Sequence, residues 1–366
     1  MINVTETFLP PLEEYQRYLE GIWETKRVTN EGALAVRLEE QLRHYLGVPH
    51  LSYVSNGTIA LQIALKALGV TGEVITTPYS YVATTNSILW ENCRPVFVDV
   101  DESTFCIDPR QIEAAITEKT TAILATHVYG LPCDVDAIAR IGEKHGLKVI
   151  YDAAHCFGVR LNGQSLLNFG DVSTISFHAT KVFHTVEGGG LVTRDPELAR
   201  RISLLKKFGH YGEDNYYFPG INGKNTEFHA AMGLCLLPRM AEVIAYRRAV
   251  CESYDRLLAA VNVRRLTIPP GVEHNYAYYP VIFRSSQQAL ATREALIRND
   301  VLPRRYFYPS LNQLPFVTDG RPCPVSESLA QRVLCLPLYY GLRGADVARI
   351  AEVIADSCEE RWERSA

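Results

Sequence analysis

Between residues 47 and 195 the chain alternates short, nearly continuous apolar runs with longer segments whose apolar residues recur every three or four positions. The short runs are Leu51–Val54, Glu73–Thr77, Pro95–Val100, Thr121–Tyr129, Leu147–Tyr151 and Val172–Phe177, with Leu191–Thr193 as a return strand. Rich in β-branched residues and bounded by glycine, proline or polar residues, they predict strands. The segments between them, Ile59–Leu68, Val82–Asn92, Asp108–Ile116 and Asp134–His145, predict helices, the third opened by Asp108 as N-cap and Pro109 at the first helical position. Ahead of them, Leu12–Trp23 and Ala33–Leu46 carry helical spacing and are separated by the breaker Thr29-Asn30-Glu31-Gly32.

Strands that are apolar throughout, alternating with helices, imply a largely parallel sheet covered on both faces, an α/β fold. Past Phe228 a long helical stretch runs to Leu258, with a break expected at Pro238. A strand over Asn275–Phe283, a helix over Gln288–Asn299 and a closing amphipathic helix over Ala345–Glu360 follow. The expected organisation is a large domain over residues 1–237 and a smaller C-terminal α+β domain over 238–366.

Composition narrows the field by exclusion. A net charge of −4 spread over 366 residues offers no basic footprint for nucleic acid or an anionic membrane surface. No uninterrupted apolar run reaches the ~18 residues of a membrane-spanning helix, and the start lacks the basic-then-apolar order of a secretory signal. Nine cysteines lie at wide spacings without a CxxC, which points to reduced thiols in a cytoplasmic protein and to no metal site.

In a sheet of this kind ligands gather at the carboxyl ends of the strands. Gly57, Tyr81, Asp152 and Ser176 each lie at or just past a predicted strand end, and Lys181 stands in the turn beyond one, before the triplet Gly188–Gly190. A partly buried amine beside a cationic group loses its proton near neutral pH and forms Schiff bases. A carboxylate at a core strand end needs a partner, and a protonated pyridine nitrogen is one. Together Lys181 and Asp152 point to pyridoxal 5'-phosphate (PLP), alternating with its amine form PMP, with Lys181 on the aldehyde and Asp152 on the ring nitrogen. Ser55-Asn56-Gly57-Thr58 opens a buried helix and either offers free amides to a phosphate or is a plain N-cap. Ser176 would join Gly57 and Thr58 on that phosphate, unless it only bonds backbone. His155 would bond the cofactor's phenolic oxygen, or is a satisfied core histidine. Tyr81, preferred over Tyr79, would stack on the ring. His178 and His184 are expected to position neighbours or fill the core.

Seven segments, SNGTIAL (55–61), TTPYSYVATTNSI (76–88), PVFVDVD (95–101), HVYGLPCDVDAI (127–138), VIYDAAHCFG (149–158), SFHATKVFHTVEGGG (176–190) and GINGKNTEFHAAMGL (220–234), make the chain resemble the DegT-type nucleotide-sugar aminotransferases, of PLP fold type I. The resemblance implies the same roles for Lys181, Asp152, His155 and Ser176, although many members carry glutamine at the position of His155. It further implies a homodimer in which Asn222 reaches the phosphate of the neighbouring subunit. Lys224 would touch substrate phosphate or sugar, and Tyr306 and Tyr308 would line the substrate side or pack at an interface. The implied reaction takes an amino group from L-glutamate to a nucleotide-linked keto sugar. The branch most resembled, the viosamine-type synthases, converts dTDP-4-dehydro-6-deoxy-D-glucose to dTDP-4-amino-4,6-dideoxy-D-glucose. Amination at C3, at C4 with galacto stereochemistry, or of a UDP- or GDP-sugar are the alternatives, and a PLP-binding regulator without turnover is an alternative of another class. A retained Lys181, where a dehydrating branch has histidine, favours amino transfer.

Overall fold

The apolar runs between residues 50 and 193 assemble into one seven-stranded sheet in this computed structural model, which describes residues 1–212, 214–317 and 320–359. In chain order the strands are β1 (His50–Val54), β2 (Glu73–Thr76), β3 (Arg94–Phe97), β4 (Thr120–Thr126), β5 (Lys148–Asp152), β6 (Val172–Ser176) and β7 (Gly189–Thr193). Across the sheet they lie β1-β7-β6-β5-β4-β2-β3, and only β7 runs antiparallel to its neighbours. All of β2, and all of β4 but Thr121, is buried, as befits strands covered on both faces.

Four helices matter for the site: α1 (Leu12–Thr25), α2 (Ala33–Leu46), α3 (Gly57–Ala67) and α4 (Val82–Trp90). Leu61, Ile63 and Leu65 of α3 are buried against the sheet, each contributing about 1.5–3 kcal/mol. That anchorage holds the amino end of α3 in place beside β7. Helix α2 has no cap of its own, because Gly32 stands at its N-cap. The buried Glu227 supplies the cap instead, accepting from the amides of Leu34 and Ala35 at 2.9 Å each. A carboxylate at a helix amino end is also favoured by the helix dipole.

Residues Glu227–Leu257 are long and apolar enough, by length and composition, to cross a membrane. Here the stretch is broken by a turn at Leu237–Arg239, with Pro238 in it, and eight residues of Glu227–Leu236 are buried against the rest of the chain. Its apolar residues thus belong to the protein's own core, where α2 packs on them.

A second core is built from Val250, Tyr254, Leu296, Ile350 and their neighbours, around a small antiparallel sheet of Arg264–Arg265, Pro280–Ile282 and Val333–Cys335. Helices Ser286–Arg298 and Gly344–Glu359 pack together on it. Residue 360, the expected end of the last helix, lies outside the described residues.

Several elements are shorter than the apolar pattern predicts, among them the strand expected over Pro95–Val100, which ends at Phe97. Helix Pro109–Ile112 tightens into a 3-10 turn at Glu113–Ala115, and β4 stops at Thr126 before a turn at Val128–Gly130. The strand expected over Asn275–Phe283 is a strand only at Pro280–Ile282. Ahead of it Asn275 donates through Nδ2 to the carbonyls of His155 (2.8 Å) and Phe157 (2.9 Å), and Tyr276 takes a left-handed φ of 53°. Side chains bonding backbone have replaced the sheet ladder there.

Candidate active site

Parallel register sets Thr126, Asp152 and Thr174 abreast on β4, β5 and β6. Ser176 ends β6 opposite Gly189, the first residue of β7, which also faces Val54 at the end of β1. The carboxyl edge of the sheet, the amino ends of α3 and α4, and C-terminal residues Tyr278, Arg304, Tyr306 and Phe307 line a cavity of about 920 Å³. Gly57, Thr58, Tyr81, Asp152, His155, Ser176, Lys181, Lys224 and Tyr306 all line it. Tyr308 lies off its wall, exposed, with the guanidinium of Arg305 stacked 3.4 Å from its ring centre. Asn222 also lies off the wall, its Oδ1 accepting from Lys224 Nζ at 3.0 Å.

Lys181 Nζ donates to the Tyr278 hydroxyl at 3.3 Å. Desolvation lowers its pKa below the ordinary lysine value, with the Asp152 charge pulling the other way. Asp152 is held by two donors: Thr84 Oγ1 at 2.7 Å on Oδ2 and the Ala154 amide at 3.1 Å on Oδ1. Burial raises its pKa; those two bonds and the Lys181 charge oppose the rise.

His155 Nδ1 accepts the amide of Tyr129 at 3.1 Å. Burial, and then the charge of Lys181, push its pKa well below the usual histidine range, so the ring is neutral. A neutral imidazole that accepts at Nδ1 carries its proton on Nε2; His155 is therefore a donor at Nε2. Tyr129 reaches it from a left-handed conformation, φ 56°, and Phe307 stacks parallel to the imidazole, centroids 5.7 Å apart. Tyr79 is fully buried and hydrogen-bonded to Tyr129 through the hydroxyls at 2.7 Å, whereas Tyr81 stands half exposed at the N-cap of α4. His184 is a core residue bonded to the Phe8 carbonyl at 2.8 Å. His178 lines the cavity, 3.5 Å from Glu187.

These residues fit PLP. A phosphate needs open N–H groups, and α3 supplies them. Asn56 caps only Ile59 (2.9 Å), leaving the Gly57 and Thr58 amides without an intrahelical partner. A Cβ at Gly57 would come 3.0 Å from the Ser176 Cβ, and one at Gly189 would come 2.5 Å from the Asn56 carbonyl carbon. Both glycines thus let α3, Ser176 and β7 close around that corner. An amine for the aldehyde, a carboxylate for the ring nitrogen and an N–H donor for the phenolic oxygen share the same cavity.

Thr84, Tyr278, Phe307 and Arg304 line or support the site without having been singled out in the sequence. Thr84 could have been found, since it lies one turn after Tyr81 at the mouth of the same helix. Arg304 and Phe307 fall in the same short segment as Tyr306 and Tyr308, already expected on the substrate side; for Tyr278 the sequence carries no signal, and tertiary packing of the C-terminal region brings it in.

Over residues 12–355 the chain matches the model of the DegT/DnrJ/EryC1/StrS aminotransferase family, and it belongs to that family. It is a PLP-dependent aminotransferase. A dTDP-4-amino-4,6-dideoxy-D-glucose transaminase of Shigella dysenteriae is 44% identical over 97% of this chain and 98% of its own length. An Escherichia coli protein of the same name is 41% identical over 96% and 98%. Among solved structures, DesI in the presence of its TDP-sugar product superposes with a TM-score of 0.94 at 31% identity, over 100% of this chain and 95% of the other.

Proposed function

We propose that this protein moves an amino group from L-glutamate to the keto carbon of dTDP-4-dehydro-6-deoxy-D-glucose, giving 2-oxoglutarate and dTDP-4-amino-4,6-dideoxy-D-glucose. The observation that carries the reading is the shared cavity of Lys181 and Asp152; the choice of sugar rests on the likeness to the two dTDP-sugar transaminases. When bound, PLP supplies an electron sink for the carbanion at the reacting carbon.

The chain's own residues do the rest. Lys181, whose pKa desolvation lowers, would hold the cofactor's aldehyde and would take the proton from the donor's α-carbon. The same amine would return a proton to the cofactor side, and would move protons the opposite way for the sugar. Asp152 would keep a proton on the ring nitrogen. His155 would donate Nε2–H to the phenolic oxygen, and Ser176 with the Gly57 and Thr58 amides would hold the phosphate. Tyr81 would stack on the ring. Lys224 and Tyr306, also on the cavity wall, would meet the sugar nucleotide.

The protein works as a homodimer in this reading, with Asn222 reaching the partner's phosphate. The exposed cluster Phe208, Tyr211, Tyr216, Tyr217 and Ile221 beside Asn222 supports an interface there. Eight of the nine cysteines are buried, in keeping with reduced thiols in a cytoplasmic protein.

The test is a panel of dTDP-, UDP- and GDP-linked keto sugars offered with L-glutamate, with products identified by mass and NMR. The reading expects the 4-amino gluco product from the dTDP sugar; turnover of another nucleotide alone, or of none, would overturn it.

A further inference from the structure

The Thr84 bond to Asp152 is the end of a longer chain. Ser80 Oγ lies 2.7 Å from Thr84 Oγ1, and Thr126 Oγ1 lies 3.1 Å from Ser80 Oγ. All three hydroxyls are buried, at 0 to 2% exposure, and they come from three elements: the turn after β2, the first turn of α4 and the end of β4. Thr126 is also the ladder neighbour of Asp152.

A hydroxyl has one proton to give, and an ionised carboxylate only accepts. Thr84 gives its proton to Asp152, so Ser80 must donate to Thr84 and Thr126 must donate to Ser80. The carboxylate therefore sets the direction of every bond in the row. Hydrogen bonds aligned head to tail polarise one another, and the more so in a low-dielectric interior. The other titratable groups facing Asp152 are Lys181, Tyr278 and Cys156; among the described residues none of them donates a hydrogen bond to it.

We propose that Thr126, Ser80 and Thr84 form a one-way hydroxyl relay whose function is to keep Asp152 ionised, and thereby to keep the PLP ring nitrogen protonated. The inference rests on the cofactor reading above. It makes the three hydroxyl residues positioning residues: none touches the reacting carbon, and each acts through the carboxylate. Loss of the first hydroxyl should do the most harm and loss of the last the least.

The test uses holoenzyme reconstituted with PLP labelled with ¹⁵N in the ring, in the wild type and in Thr84→Val, Thr84→Ser, Ser80→Ala and Thr126→Val. Valine keeps the shape of threonine, so folding is preserved best where the hydroxyl alone is removed. Wild-type protein should give the ¹⁵N shift of a protonated ring. Thr84→Val should move that shift toward neutral pyridine and lower kcat roughly 10- to 100-fold, the size expected for a hydrogen bond to a charged group, with KM for the amino donor changed less. Thr84→Ser should restore both readouts, and Ser80→Ala should lie between. If Thr84→Val and Ser80→Ala both bind PLP with the wild-type ¹⁵N shift and kcat, the relay is refuted while the cofactor reading stands. If the wild type itself shows a neutral ring nitrogen, the Asp152 assignment fails, and the relay with it.

Discussion

Gly189 sits where β7 passes the amino end of α3, and replacing it with alanine is a sharp probe of the phosphate corner. The new Cβ would stand 2.5 Å from the Asn56 carbonyl carbon, 2.6 Å from its oxygen and 2.8 Å from the Gly57 nitrogen. Ordinary contact begins near 3.4 Å, so one backbone must yield by about 0.9 Å, the difference of 3.4 and 2.5. β7 is tied to strands on both sides, so α3 moves. A displacement of that size takes an amide–phosphate bond from about 2.9 Å to nearly 3.8 Å, outside hydrogen-bond range. Each bond to a charged group contributes about 1.5–3 kcal/mol. Losing both the Gly57 and Thr58 bonds weakens PLP binding roughly 10²- to 10⁴-fold. Gly190→Ala is the control. Its Cβ meets Ile175 Cγ2 at 3.2 Å and the Phe177 ring at 3.5 Å, side chains that can give way. The assay is titration of apoprotein with PLP followed by absorbance, with far-UV circular dichroism to verify folding. PLP affinity of Gly189→Ala within about 3-fold of wild type would refute the placement of the phosphate at α3.

Other predictions follow from the same geometry. His155→Gln should keep kcat within about 10-fold, because glutamine also accepts from Tyr129 and donates onward, whereas His155→Phe should lose roughly 10- to 100-fold, a hydrogen bond's worth; steady-state kinetics decide. The lowered pKa of Lys181 means its neutral form grows in as pH rises through that lowered value, so the rate of borohydride-trappable PLP attachment should level off at a lower pH than for an exposed lysine; a plateau only near the free-lysine value contradicts it. Glu227→Gln leaves one of the two α2 amides without an acceptor, and should cost about 1–3 kcal/mol of stability in urea unfolding. An unchanged midpoint would show that the cap matters little.

Much of the site was legible because it falls where the apolar pattern stops. Asp152 ends a run of buried residues, and Lys181 follows another; a charged group at such a boundary has to be explained by a partner. The glycine triplet was visible too, but its reason was not: Gly189 begins a strand, and only the approach of α3 shows why no side chain fits. Thr84 was marked only by its place one turn after Tyr81; a threonine in an apolar helix gives no sign of which neighbour takes its proton. Tyr278 and Phe307 come to the cavity by tertiary packing from more than 90 residues away from Lys181. Asn275–Phe283 misled because its alternation of aromatic and small residues is strand-like, while the amide of Asn275 binds the carbonyls of His155 and Phe157 and pulls the segment out of the sheet.

The claim beneath all of this is a covalent bond from Lys181 to the cofactor's aldehyde carbon. Reduction of PLP-reconstituted protein with borohydride, followed by peptide mapping, tests it directly. The account predicts a single phosphopyridoxyl adduct, on the peptide containing Lys181, absent when L-glutamate is added first. An adduct on a different lysine, or none at all, would contradict it.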